Sequence, residues 1–153
     1  MFNFHSAYLN GVLDDGETIY MEQPPYHEVA SRSCYVVKLR KSLYGLKQAG
    51  RKWYDTLCGS LTIIGFQKSM ADPAVFFVHT GSDVVFLFIH VDDTTITGSS
   101  VNLIKKYEQK IREIFDITHL GPISWLLGLV IIRNRSKQTL SISQEAYINS
   151  VVR

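Results

Sequence analysis

Cysteine is scarce here. Cys34 and Cys58 are the only two, and they form no CxxC pair. That excludes a disulfide framework and leaves two buried free thiols in a reducing compartment as the expectation. No apolar run reaches the roughly 18 residues of a membrane-spanning helix. The opening Met1-Phe2-Asn3-Phe4-His5 lacks the basic n-region and long apolar core of a secretory signal. Repeats, low-complexity tracts and linkers are missing too, so the 153 residues read as one domain, long enough to remove about two thirds of the unfolded chain's surface from water. A net charge of only +2 does not by itself mark a nucleic-acid binder. What the chain does have is 46% hydrophobic residues, including eight Tyr, eight Phe and two Trp. Aromatic and β-branched residues favour sheets, which points to a mixed α and β protein.

Phe2, Phe4 and Ser6 alternate with Asn3, His5 and Ala7, which predicts a strand with Asn3 on the face opposite Phe2 and Phe4. Asn10-Gly11 and Asp15-Gly16 are turn signals. Thr18 to Gln23, closed by Pro24-Pro25, and Cys34 to Leu39 read as strands. Leu46, Ala49, Trp53, Leu57, Leu61 and Ile64 form one helical stripe between Gly45 and Gly65, with Gly65 placed as a C-terminal cap. The apolar runs Val75 to Val78 and Val84 to Val91 flank Thr80-Gly81-Ser82-Asp83 and predict a hairpin. Thr94 to Thr97 resumes the strand pattern, so a second hairpin carries Asp92-Asp93 at its bend. After Ser99-Ser100, a second amphipathic helix buries Leu103, Ile104, Tyr107, Ile111, Ile114 and Phe115. Leu126 to Ile132 and Leu140 to Ser143 form a further hairpin around Asn134 to Gln138, and a short helix starts near Gln144. The sum is an α+β fold: an antiparallel sheet with two main helices packed on one face. Apolar, strand-like residues begin at once, and Ile148 to Arg153 read as a helix still running, so both ends are expected to be cuts through a larger fold.

Chemistry concentrates in Phe88-Ile89-His90-Val91-Asp92-Asp93-Thr94-Thr95. Adjacent carboxylates at the tip of an apolar hairpin are costly to bury without a counter-charge or a metal. Such a pair suits Mg²⁺, which takes a few carboxylate oxygens, waters and phosphates; a solvated turn is the competing explanation. From Lys38 to Tyr54 the chain carries Lys38, Arg40, Lys41, Lys47, Arg51 and Lys52 and no acid. Unopposed charge of that kind suits a phosphate backbone or a triphosphate, with a solvated helix face as the alternative. His5, His27, His79 and His119 show no metal-ligand spacing and read as structural.

Ser42-Leu43-Tyr44-Gly45-Leu46-Lys47-Gln48-Ala49, followed by Arg51-Lys52-Trp53-Tyr54, resembles the Ser-Leu-Tyr-Gly-Leu-Lys-Gln-Ala-Pro-Arg-x-Trp-Tyr block of copia-type retrotransposon reverse transcriptases, with Gly50 in place of Pro. His90-Val91-Asp92-Asp93 resembles the family's Tyr-Val-Asp-Asp box, with His for Tyr. Ala7 to Gly11 and Ile19 to Pro24 resemble its first palm block. Ala71-Asp72-Pro73, Leu120-Gly121, Leu127-Gly128 and Leu140 to Gln144 resemble later ones. The resemblance runs from Asn3 to the C-terminus. It implies a palm-type fold and RNA-directed DNA polymerisation by two divalent ions, Mg²⁺ or Mn²⁺, about 3.5–4 Å apart. Partners would be an RNA or DNA template–primer and a deoxynucleoside triphosphate, with no membrane.

By the same resemblance, Asp92 and Asp93 are two of three catalytic aspartates and metal ligands, the backbone carbonyl of Phe4 is a further ligand, and Asn3 stands where the family has the first aspartate. Tyr8 matches the aromatic beneath the incoming sugar. Tyr44 and Gly45 match the loop beside the nucleotide, and His90 lies beside the primer end. The neutral Asn3 removes a charge from between two dications, so activity is expected to be absent or nearly so. The family pattern further implies fingers largely missing, an absent thumb, and exposed edges that a homo-oligomer could cover. A non-catalytic nucleic-acid-binding or interaction module derived from the palm is the alternative. Localisation follows the family: cytoplasmic virus-like particles, then the nucleus.

Overall fold

The computed structural model describes residues 1–29 and 35–152. Six strands make the central sheet: β1 (Phe2–Phe4), β4 (Gln67–Lys68), β5 (Val75–Thr80), β6 (Asp83–His90), β7 (Asp93–Gly98) and β8 (Ile117–His119). They are antiparallel and lie in the order β4-β5-β6-β7-β1-β8. A ribbon of β2 (Tyr20–Glu22) and β3 (Val36–Lys38) and a sheet of β9 (Trp125–Leu126), β10 (Leu129–Asn134) and β11 (Thr139–Ser143) flank it. The helices are α1 (Ala49–Ile63), α2 (Val101–Arg112) and α3 (Glu145–Val151). The architecture is α+β with antiparallel sheets. No helix among the described residues is long and apolar enough to cross a membrane.

Period-two alternation decides which side of the large sheet is dry. Phe2, Phe4, Phe76, Val78, Val85 and Leu87 point to one face and are buried there against Trp53, Leu57 and Leu61 of α1 and Leu103, Tyr107 and Ile111 of α2. Each such side chain contributes about 1.5–3 kcal/mol through the area it removes from water. Two helices on one face is thus the expected arrangement. The other face stays open, with Phe86 and Phe88 at the surface.

The helix ends follow their predicted signals. Gly65, at φ +104°, closes α1: its N–H bonds Thr62 O, the Phe66 N–H reaches Leu61 O, and Phe66 and Leu61 both join the core. Ser100 caps α2 by accepting from the Leu103 N–H.

Several expectations need correction. The first strand stops at Phe4. Ser6 turns into the left-handed region at φ +50°, and Ala7–Asn10 form a 3₁₀ turn. Leu46 lies outside α1. Leu126 to Ile132 is two strands, because Leu127 and Gly128 both have positive φ and reverse the chain between β9 and β10. α2 ends at Arg112, so Ile114 swings outward and is exposed, whereas Phe115 returns to the core. Asp92 occupies the hairpin bend, but Asp93 begins β7, paired with His90. β4 and β8 have no counterpart in the sequence pattern. Cys58 is half-buried; Cys34 lies outside the described residues.

Gly11 sets the distance between the 3₁₀ turn and α1. A Cβ there would sit 2.6 Å from Ser42 Oγ and 2.8 Å from the Trp53 backbone nitrogen. Its φ of −63° suits any residue, so the cost of Gly11→Ala is steric: about 2 kcal/mol of overpacking against helix backbone that cannot rotate away. Urea denaturation should show that loss. An unchanged midpoint would mean that the contact relaxes freely.

Thr94 makes the opposite case. It is fully buried on the helix-covered face, and its hydroxyl has no hydrogen-bond partner among the described residues. Thr94→Val removes an unpaired buried oxygen at nearly constant volume, so about 1 kcal/mol of added stability is expected. A loss of thermal stability in this variant would mean that the hydroxyl is satisfied after all.

Candidate active site

The β6–β7 hairpin projects the acidic pair. Val91 takes φ +58° at its tip, a conformation that costs a β-branched residue energy and needs support from its surroundings. Two bonds supply that support. The buried Trp53 indole N–H donates to Val91 O at 2.7 Å, and the Phe4 N–H donates to Asp92 O at 3.0 Å. α1 and β1 therefore hold the hairpin tip from two sides.

β1 also places Asn3 directly opposite Asp93 on the open face. The Asn3 side-chain nitrogen donates to Asp92 Oδ2 at 3.1 Å and to Asp93 Oδ1 at 3.3 Å. One neutral amide group thereby bridges both carboxylates with charge-assisted bonds. The three residues singled out in sequence meet at one point.

The donor set decides what this point can hold. Asp92 and Asp93 are half-buried carboxylates, and the carboxamide between them turns its nitrogen toward them, so only these two side chains present acceptor oxygens to the site. Among the described residues no group of three His, Cys, Asp or Glu side chains gathers. The set does not fit a pair of dications, whose mutual repulsion needs more negative charge between them.

The flanking residues are arranged as follows. Tyr8 and Val91 line a common cavity of about 460 Å³ that Gly50, Tyr54 and Ala74 help to enclose. The Tyr8 and Tyr44 rings pack at 5.1 Å, and the Ser42 hydroxyl donates to Tyr8 O. Gly45, at φ +92°, follows Tyr44 in the same loop. The Tyr54 hydroxyl donates to Pro73 O at 2.7 Å, and burial first, then the Cys58 contact, push its pKa up to about 12. It is a neutral anchor for the wall of the cavity. Burial likewise raises the Cys58 thiol, so it is no activated nucleophile. His90 is exposed and shares a second, apolar cavity with Asp93.

The basic segment divides. Lys38, Arg40, Lys41 and Lys47 are exposed. Arg51 pairs with Asp55 at 2.8 Å, and Lys52 is held by Asp14 at 2.6 Å and Glu17 at 3.0 Å. Hydrogen bonds to Asp14 and then Glu17 raise the Lys52 pKa, and the Lys52 bond depresses that of Glu17. Six unopposed cations is therefore too many: the fold brings acids to two of them, from upstream for Lys52 and from the next helical turn for Arg51.

The sequence profile of the family described as reverse transcriptase (RNA-dependent DNA polymerase) matches residues 1–153. The chain belongs to this family, in its copia-type branch. It is 40% identical to the retrovirus-related Pol polyprotein from transposon TNT 1-94 of Nicotiana tabacum, over 96% of this chain and 11% of the relative. It is 38% identical to that from transposon RE1 of Arabidopsis thaliana, over 94% of this chain and 10% of the relative. A putative transposon Ty5-1 protein of Saccharomyces cerevisiae is 29% identical, over 94% and 46%. The chain thus spans about a tenth of the length of the plant Pol polyproteins it matches. No solved structure matches it. In this reverse transcriptase domain the sequence singles out Asn3, Asp92 and Asp93, and the fold brings the three side chains together. The support from Trp53 was not visible, since an indole N–H carries no mark of its partner.

Proposed function

We propose that this chain is the palm region of a copia-type RNA-directed DNA polymerase in which nucleotidyl transfer has been lost. The observation that carries this reading is the Asn3 amide bridging Asp92 and Asp93. In a working centre that position would hold a carboxylate facing cations. Here it holds a hydrogen-bond donor, so the acidic pair is tied by an internal amide and lacks the third negative charge. Two-ion chemistry needs one ion to activate the primer hydroxyl and one to hold the triphosphate. The donor set supports at most weak binding of a single Mg²⁺ or Mn²⁺ through Asp92, Asp93 and the Phe4 carbonyl. Removing one electrostatic stabiliser from a catalytic centre costs about 10²–10³ in rate, and loss of a bridging carboxylate should cost at least that.

The family supports an RNA or DNA template–primer and a deoxynucleoside triphosphate as the partners, with Tyr8, Tyr44 and Gly45 beside the nucleotide and Lys38, Arg40, Lys41 and Lys47 toward phosphates. The compartment we propose is the family's cytoplasmic particle. Exposed apolar residues such as Trp125, Ile132 and Ile142 are compatible with a homo-oligomer.

The test is Mn²⁺ titration followed by primer extension on a primed RNA template, with the native chain, Asn3→Asp, and Asn3→Asp combined with Asp92→Ala. Extension by the native chain at a rate similar to Asn3→Asp would refute the reading. Extension by Asn3→Asp alone, abolished in the double variant, is the expected result.

A further inference from the structure

The open face of the central sheet carries a row of rings across β5 and β6. Phe86 and Phe88 are both exposed there, with centroids 6.4 Å apart and planes 27° from parallel. Phe77, opposite Phe86 on β5, continues the row at 6.5 Å, and the exposed ring of His79 ends it 5.7 Å from Phe77. At the other end His90 follows Phe88 on the same face of β6. Single apolar side chains at a surface need no explanation, but a contiguous row of aromatic faces marks a contact surface.

Charge decides what would cover it. Residues 69–104 carry Asp72, Asp83, Asp92 and Asp93 and not one Lys or Arg, in a chain of net charge +2. Among the described residues none of the four forms an ion pair. The row leads into a cavity of about 480 Å³ that Phe88 lines together with Asp72, Asp93, Leu126 and Leu127, and with no Lys or Arg. Asp72 Oδ1 accepts from the Ala74 N–H at 2.8 Å, which fixes that carboxylate on its turn. Thr95 lines the same cavity; its hydroxyl oxygen is buried and has no hydrogen-bond partner among the described residues. Apolar walls, aromatic faces, two carboxylates and an unused hydroxyl call for an apolar body that ends in a cation with several N–H donors. A phosphate backbone would meet repulsion from the same carboxylates, which argues against a nucleic-acid strand on this face.

We infer that the β5–β6 face docks an extended basic segment of a partner protein, with arginine side chains stacked on Phe86 and Phe88 and one reaching Asp72 and Asp93 in the cavity. Guanidinium groups suit both tasks, because their planes stack on aromatic faces and their forks match carboxylate oxygens in pairs. Alternate residues of an extended chain repeat at about 6.6–6.8 Å, close to the spacing of the Phe86 and Phe88 rings, so arginines at every second position meet one ring after another. The surface is distinct from the Lys38–Lys47 segment and requires no nucleotidyl transfer, so it stands or falls separately from the loss-of-catalysis reading.

The experiment is fluorescence anisotropy of a labelled octapeptide of alternating arginine and leucine, titrated with the whole chain. It compares the native protein, Phe86→Ser/Phe88→Ser, Asp72→Asn, and the charge-matched Glu113→Gln just beyond α2. Asparagine at position 72 can still accept from the Ala74 N–H, and all the substituted side chains are exposed. The expected result is binding weakened at least about tenfold by loss of the two rings, weakened about fivefold in Asp72→Asn, and unchanged in Glu113→Gln. No binding by the native chain, or equal binding by the native and ring variants, overturns the inference. An equal fall in Asp72→Asn and Glu113→Gln reduces the effect to bulk charge and overturns it as well. Sedimentation of the native chain as a dimer that Phe86→Ser/Phe88→Ser converts to a monomer would assign the face to a second copy instead of a basic partner. A labelled oligodeoxythymidylate that binds the native chain and is lost in the ring variant would make the face a base-stacking platform and defeat the charge argument. None of these outcomes alters what primer extension shows for Asn3→Asp.

Discussion

In a chelating buffer, Asn3→Asp should lower the stability of this domain by about 3 kcal/mol, and millimolar Mg²⁺ or Mn²⁺ should restore most of it. The native amide makes hydrogen bonds to Asp92 Oδ2 and Asp93 Oδ1, and bonds to charged groups are worth about 1.5–3 kcal/mol each. The variant loses both and adds a third carboxylate beside two others at a half-buried position, where like charges repel through protein as well as water. A divalent ion reverses the sign of that cluster. Bound only by the folded state, it adds about 2.7 kcal/mol at a hundred times its dissociation constant. Urea denaturation in EDTA and in about 10 mM Mg²⁺ would measure both halves. The native chain should show little difference between the two buffers. A variant as stable as the native chain in EDTA would mean that the Asn3 amide contributes nothing to holding the acidic pair. The same substitution should raise primer extension by at least about 10²-fold, so the prediction joins stability to catalysis: under the proposed loss of nucleotidyl transfer, the amide that stabilises the metal-free site is the group that stops the chemistry.

How much of this can be read in advance depends on how local the cause is. β5, β6 and β7 follow from uninterrupted apolar and β-branched runs, and Asp92-Asp93 stands out because charge breaks such a run. α1 and α2 follow from their stripes and from Gly65 and Ser100, all within one helix. Elements that exist only through a distant partner are not legible. β8 is a strand because Ile117, Thr118 and His119 pair with Phe4, Asn3 and Phe2, and three residues carry no pattern of their own. Ser6 and Leu127 look like continuations of strands, and only the backbone reveals their left-handed turns. The same holds at the site. The identities of Asn3, Asp92 and Asp93 are evident, but their meeting depends on the β1–β7 register. The neutralisation of Lys52 depends on Asp14 and Glu17, more than thirty positions upstream. Ion pairing across the fold leaves no periodic signal, so the basic segment looks more available in sequence than it is.

Trp53 carries the other large effect, because it serves core and site at once. Its ring lies edge-on to Phe4 at 5.1 Å and to Phe115 at 5.3 Å, and the side chain is almost wholly buried. Its N–H holds the Val91 carbonyl at the left-handed tip of the acidic hairpin. Trp53→Ala should cost about 4 kcal/mol from lost packing and the cavity left behind, a large part of the roughly 5–15 kcal/mol that holds a domain of this kind together. Trp53→Phe separates the two roles. It keeps most of the ring packing and removes only the donor, for a global loss of about 1–2 kcal/mol. Its distinctive consequence is local: with the Val91 carbonyl unpaired, the tip loses one of two anchors, and the Asp93 and His90 amides should exchange with solvent at least about tenfold faster than the fall in global stability requires. Amide exchange followed by mass spectrometry or NMR, with Leu87 and Val85 as internal references, reads that difference directly. If tip and references accelerate by the same factor, the indole bond is incidental and the hairpin is held by its strands alone. If only the tip accelerates, the position of Asp92 and Asp93 is set by a tryptophan on the far side of the sheet.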